Sequence, residues 1–138
     1  MTFGLTIPGL RIHSEANERC HWAVRRKRFQ DQHMALLLAW RKATRGSQET
    51  VLRSLTPPLR ITLTRVGKRT LDSDNLAGGF KGLRDSMASI LGLDDGDPLL
   101  EWVYRQRADG GCGFAVAIMI ETVPGAPAPE STSTGMPS

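Results

Sequence analysis

Asp72 and Asp74 stand one residue apart, Asn75 follows directly, and a second acidic knot of Asp94, Asp95 and Asp97 comes later. With Asp85, the stretch 69–97 holds six of the chain's fourteen acids. Like charges about 4 Å apart repel by roughly 4 kcal/mol at an effective dielectric near 20, so carboxylates at this density call for a cation. The donors are oxygens, with no Cys or His in the stretch, which favours a hard divalent ion over zinc. Mg²⁺, or Mn²⁺ in its place, takes one or two carboxylates, several waters and the phosphate oxygens of a substrate. Ca²⁺ is the nearest rival, but Leu76 sits where an EF-hand loop needs an oxygen and no Glu closes such a loop. The competing reading is structural: Asp72 or Asp74 caps a helix, accepting from free amides and complementing the macrodipole.

The acids need elements to position them. Phe3, Leu5 and Ile7 alternate with Thr2, Gly4 and Thr6, predicting a strand closed by Pro8 and Gly9. A polar loop follows, with Ser14 and Asn17 as cap or turn residues. From about residue 21 to 45, Trp22, Phe29, His33, Leu36 and Trp40 recur at helical spacing, and Gly46 ends the helix. His33 on that apolar stripe reads as a core histidine rather than a ligand. Beyond a connector over 47–58, Leu59, Ile61 and Leu63 alternate with Arg60, Thr62 and Thr64, a second strand that delivers the chain to the acidic motif.

The spacing predicts a second helix over 75–91. Leu76, Phe80, Leu83, Met87 and Ile90 form one stripe, while Asp74, Gly78, Lys81 and Asp85 form another, so Lys81 faces the same way as Asp74. An ordinary Lys81–Asp85 surface pair is the alternative. Gly92 stops this helix, and strands over 99–106 and 114–120 are expected to form a hairpin around ADGGCG. These elements make an α+β fold: one domain, a mixed sheet and two helices in the order β, α, β, α, β, β. The stretch 124–138, rich in Pro, Ser, Thr and Gly, is expected to be a disordered tail.

The net charge of +4 hides an asymmetry. Residues 1–70 carry fourteen Lys/Arg against four acids, and residues 71–138 carry four against ten. A basic half beside an acidic centre suits a polyanion held against a metal site. Arg25, Arg26, Lys27 and Arg28 wrap most of one helical turn, so at least two face away from the core stripe and are available to phosphates. Lys68 and Arg69 sit just ahead of Asp72, where they could hold a phosphate or soften carboxylate repulsion. No apolar run reaches membrane-spanning length and no signal-peptide layout is present, which predicts a cytoplasmic protein without membrane association. Cys20 and Cys112 are isolated from each other, pointing to reduced thiols rather than a zinc site or disulfide framework.

The order of features resembles the RusA family of Holliday junction resolvases, small nucleases often found in phages and prophages. The segment SEAN followed by ERCHWAVRRKR looks like the family's Ser-x-x-Asn and basic opening. Asp72, Ser73, Asp74 and Asn75 match its Asp-x-Asp-Asn core, with Lys81 and then Asp94 and Asp95 beyond it. The likeness spans roughly residues 5–122, so that 1–123 would form the nuclease domain. It implies that Asp72, Asp74 and Asp95 are metal-binding catalytic acids and that Lys81 is the essential lysine. It also implies a homodimer and Mg²⁺-dependent cleavage of branched double-stranded DNA. One departure stands out: the family lysine usually falls where this chain has Gly78, one helical turn before Lys81. A DNA-binding protein whose acids are purely structural is the alternative from a different class.

Helix geometry sets a conflict within that reading. An unbroken helix over 75–91 is about 25 Å long at 1.5 Å per residue, which leaves Asp72 and Asp74 at one end and Asp95 beyond the other. Either Gly78 and Gly79 unwind its first turn, or Asp95 completes a site in a second subunit. The latter would pair equivalent helices antiparallel through Leu76, Phe80, Leu83 and Met87.

Overall fold

Apolar alternation builds the sheet as expected, but in an order the sequence pattern does not dictate. The computed structural model describes residues 2–12, 22–68, 70–71, 73–108 and 113–123, with only the backbone of 73–75. Its strands are β1 (Thr2–Pro8), β2 (Leu59–Gly67), β3 (Leu100–Ala108) and β4 (Ala115–Thr122). They form one mixed sheet in the order β1-β4-β2-β3. β4 runs antiparallel to both β1 and β2, and β3 runs parallel to β2. Every second residue points to one face: Leu5 and Ile7, Leu59, Ile61 and Leu63, and Val116, Ile118 and Ile120 are all buried there.

Helices cover that face. α1 (Trp22–Thr44) and α2 (Gln48–Ser54) lie between β1 and β2 in the chain, and α3 (Ser73–Gly79) and α4 (Lys81–Leu91) between β2 and β3. Leu36 and Trp40 of α1, Leu76 of α3, Phe80, and Leu83 and Met87 of α4 share one core with the inward strand residues. Trp40 meets Phe3 edge-on with ring centres 5.3 Å apart. The opposite face, with Gly4, Thr6, Thr62, Thr64, Ala117 and Met119, has no helix of the described residues packed on it.

The α+β class and the mixed sheet stand, and three details change. First, the connector contains α2, and the expected second helix is two, so the order is β, α, α, β, α, α, β, β among the described residues. The break falls at Phe80, directly after Gly78 and Gly79, each of which disfavours helix by about 1 kcal/mol relative to Ala. Secondly, β3 and β4 are not a hairpin, because β2 lies between them. The glycine-rich link instead joins strands two positions apart, about 10 Å at a spacing near 4.8 Å. Thirdly, Leu76, Phe80, Leu83 and Met87 are buried in the chain's own core, so they cannot form the antiparallel seam between subunits. Arg45 and Gly46 turn the chain out of α1 with φ of 51° and 82°, and Gly92 ends α4 with φ 73°. The expected tail over 124–138 lies outside the described residues, as do Ser14, Asn17, Cys20 and Cys112. No helix among the described residues is long and apolar enough to cross a membrane.

Candidate functional site

Asp95 follows α4 in the turn that leads to β3, and Arg84 grips it. Arg84 Nη2 donates to the Asp95 carbonyl at 3.0 Å, and Nη1 donates to Tyr104 Oη at 2.8 Å. Arg84 Nε lies 3.2 Å from Asp95 Oδ2. The angle there is too poor for a hydrogen bond, so this contact is charge attraction. The guanidinium also lies over the Trp102 ring, 5.1 Å from its centre, and Trp102 Nε1 donates to the same Asp95 carbonyl at 2.9 Å. Tyr104 stacks on Phe80 with ring centres 5.7 Å apart, under the break between α3 and α4.

Leu71 is anchored to the same strand. Gln106 Oε1 accepts from the Leu71 amide at 2.7 Å, and Gln106 Nε2 donates to the Leu71 carbonyl at 2.6 Å. Leu71 immediately precedes Asp72. Trp102, Tyr104 and Gln106 alternate along the helix-covered face of β3, in register with Ile61, Leu63 and Arg65 of β2. The anchors for the two acidic segments, Trp102 and Gln106, are four residues apart, about 13 Å along a strand. That replaces the roughly 25 Å of an unbroken helix. Leu71 and Asp95 therefore both hang from one strand of one chain.

Lys81, Asp85, Asp94 and Asp95 border a single open depression of about 530 Å³ beside Ser89 and Leu93. Larger depressions lie on the open sheet face, beside the start of α1 and between β1 and α1, but none contains any of these acids. Burial, then the negative charge of Asp95 and a hydrogen bond with it, hold the Asp85 carboxyl above its ordinary value, while Lys81 and Arg84 pull it back down. Two carboxyls this close supply oxygen donors and an unfavourable charge that a cation relieves. That suits Mg²⁺, which keeps most of its waters and needs few protein ligands. No three His, Cys, Asp or Glu side chains among the described residues gather tightly enough to enclose an ion. Asp72 and Arg69 lie outside the described residues, and Asp74 is placed by backbone alone, as the second residue of α3.

The structure thus brings Lys81 and Asp95 together and adds Asp85, which the sequence pattern left as a surface partner of Lys81. Arg84 and Gln106 are the other residues that sequence reasoning missed. Neither carries a motif signal, because their roles depend on β3 lying beside β2. Of the expected phosphate contacts, Arg25, Arg26 and Lys27 are exposed at the start of α1 and Arg28 is half-buried. Lys27 pairs with Asp31 at 3.2 Å. Lys68 is exposed just past β2. A scan against protein-family models and a search of curated proteins gave no match for the chain.

Proposed function

We propose that this chain is a Mg²⁺-dependent, structure-selective endodeoxyribonuclease that cleaves branched DNA such as Holliday junctions. The observation that supports the reading is that Leu71, just ahead of Asp72 in the sequence, and Asp95 are both bonded to side chains of β3, with Lys81 beside Asp85 and Asp95 at one depression. Asp72, Asp74 and Asp95, with Asp85 beside them, would hold the ion. When bound, Mg²⁺ supplies the positive charge that activates a water for in-line attack and stabilises the leaving oxygen. Lys81 offsets charge on the scissile phosphate. Arg84 and Gln106 hold the acidic segments in position through the other side of the site. Arg25, Arg26, Lys27, Arg28, Lys68 and Arg69 contribute phosphate affinity that is independent of base sequence.

The likeness to RusA adds a homodimer, whose two-fold symmetry suits paired nicks on a four-way junction. A cytoplasmic place in DNA recombination or repair belongs to the same proposal. The deciding experiment is a cleavage assay on a four-way junction with and without Mg²⁺, for the wild type and for Asp95→Asn. Symmetric Mg²⁺-dependent nicks that disappear in Asp95→Asn, with junction binding retained, support the reading. One observation favours a rival: Asp95 already has a counter-ion in Arg84, as it would in a DNA-binding protein with structural acids. Binding without nicks at any Mg²⁺ or Mn²⁺ concentration would select that rival.

A further inference from the structure

α1 begins before the core does. Its buried residues are Gln32, Leu36, Trp40 and Thr44, whereas residues 22–27 are all exposed, with Trp22 66 % exposed. Trp22 falls on the same angular stripe as Phe29, Leu36 and Trp40, so the apolar face of the helix continues past its buried residues. Trp22, Arg25, Arg26 and Phe29 follow one another at i, i+3, i+4 and i+7 and border a depression of about 780 Å³.

The overhang has a definite direction. Gly82 at the start of α4 lies against α1 so closely that a Cβ there would stand 2.9 Å from Phe29 Cδ1 and would also collide with Gln32. One turn on, His33 Nδ1 is 2.8 Å from Ser86 Oγ. Residue numbers rise together in the two contacts, so α1 and α4 point the same way. The seven residues from Phe29 back to Trp22 carry the overhang about 10 Å past the first turn of α4. Lys81 stands at that end of α4.

We propose that Trp22 and Phe29, flanked by Arg25 and Arg26, form a stacking platform for an unpaired nucleobase beside the scissile phosphate. This rests on the nuclease reading and names the feature of branched DNA that would be recognised. Arginines alone bind any duplex through its phosphates, but an exposed indole gains only from a base whose face is free. Paired duplex bases hide both faces in the stack, and bases splayed at a branch point do not. Arg25 and Arg26 line the depression beside the rings, where they would meet the phosphates that flank such a base.

The test compares the full chain with Trp22→Ala, Trp22→Tyr and Trp22→Lys for binding to a short oligo-dT strand, a flapped duplex and a blunt duplex, by fluorescence anisotropy. Trp22→Ala is expected to weaken oligo-dT and flap binding about tenfold and blunt-duplex binding by less than about twofold, and Trp22→Tyr to recover most of the loss. Trp22→Lys guards against misfolding as the cause: an added cation should strengthen duplex binding while the lost ring weakens oligo-dT binding. Of the three tryptophans Trp22 is the most exposed, so emission quenched by oligo-dT in the wild type should lose that response in Trp22→Tyr. Equal losses on all three DNAs, unchanged oligo-dT binding, or a change of oligomeric state in Trp22→Ala would each overturn the platform. A wild type that discriminates by Trp22 but never nicks a junction would overturn the nuclease reading and support Trp22 as a base-binding residue.

Discussion

Gln106 on β3 engages both backbone groups of Leu71, accepting from its amide at 2.7 Å and donating to its carbonyl at 2.6 Å. A side-chain amide is suited to this because it offers one acceptor and two donors in a plane. Gln106→Glu keeps the acceptor but sets a carboxylate oxygen against the Leu71 carbonyl. We expect it to cost about 1–2 kcal/mol in urea denaturation and to lower nicking far more than junction binding. Wild-type nicking by a folded Gln106→Glu would show that the clamp does not set the site.

Arg84 holds Asp95, Tyr104 and Trp102 with one planar group, which a lysine ammonium cannot reproduce. Arg84→Lys should therefore lose about 1–3 kcal/mol despite keeping the charge. In Arg84→Met the acids lose their counter-ion, so thermal melting should respond more strongly to added Mg²⁺ than in the wild type. An identical Mg²⁺ response in the two proteins would separate Arg84 from the proposed metal site.

Gln32 is 1 % exposed, and neither polar atom of its side chain has a hydrogen-bond partner among the described residues. Burying an unsatisfied amide costs about 1–3 kcal/mol, so Gln32→Met, similar in length and apolar, is expected to stabilise the fold by about 1 kcal/mol. Gly82→Ala, by contrast, drives a methyl into Phe29 and Gln32 and should destabilise it by about 1–3 kcal/mol. Chemical denaturation midpoints decide both, and a destabilised Gln32→Met would show that the amide has a partner after all.

Asp85 gives the pH dependence a sign. Its folded-state carboxyl is held above its ordinary value by burial and by Asp95. The folded state therefore retains that proton longer than the unfolded chain does. Its contribution to stability is full below the ordinary carboxylate range and is lost as pH rises through the raised value. In the presence of a chelator, Asp85→Asn should be more stable than the wild type at pH 7, with the advantage fading below about pH 4. With Mg²⁺ present the order should reverse at pH 7, because the ion prefers the ionised pair. Melting curves across pH, with chelator and with Mg²⁺, read both signs.

The sequence makes the strands and α1 legible because period-two and helical apolar spacing report which face is buried. Leu5, Ile61, Ile118, Leu36 and Trp40 all take the places their pattern predicts. Strand order is another matter, since nothing in the local pattern of 99–120 says that β2 will lie between β3 and β4. The same gap hides the site's supports. Arg84 reads as a helix-surface cation and Gln106 as a strand-end polar residue until β3 lies beside β2. Lys81 and Asp95 carry a motif signal in the sequence and Asp85 only a charge, because its closeness to Asp95 depends on where Gly92 turns the chain back.

Since Leu71 and Asp95 are each fastened to β3, the chain between them is a tether rather than a spacer. Residues inserted into or deleted from α3 or its junction with α4 would change the path without changing the two attachment points, provided that Phe80 still reaches Tyr104. Under the RusA reading proposed above, the three residues that separate Lys81 from the position of the family lysine would be an insertion of this kind. Families built on such a sheet are free to drift in the distance between their motifs while the residues at alternate positions of one strand stay in place. A search for distant relatives that fixes the interval between the Asp-x-Asp-Asn motif and the later acids would pass them by, and one that allows the interval to vary would retain them.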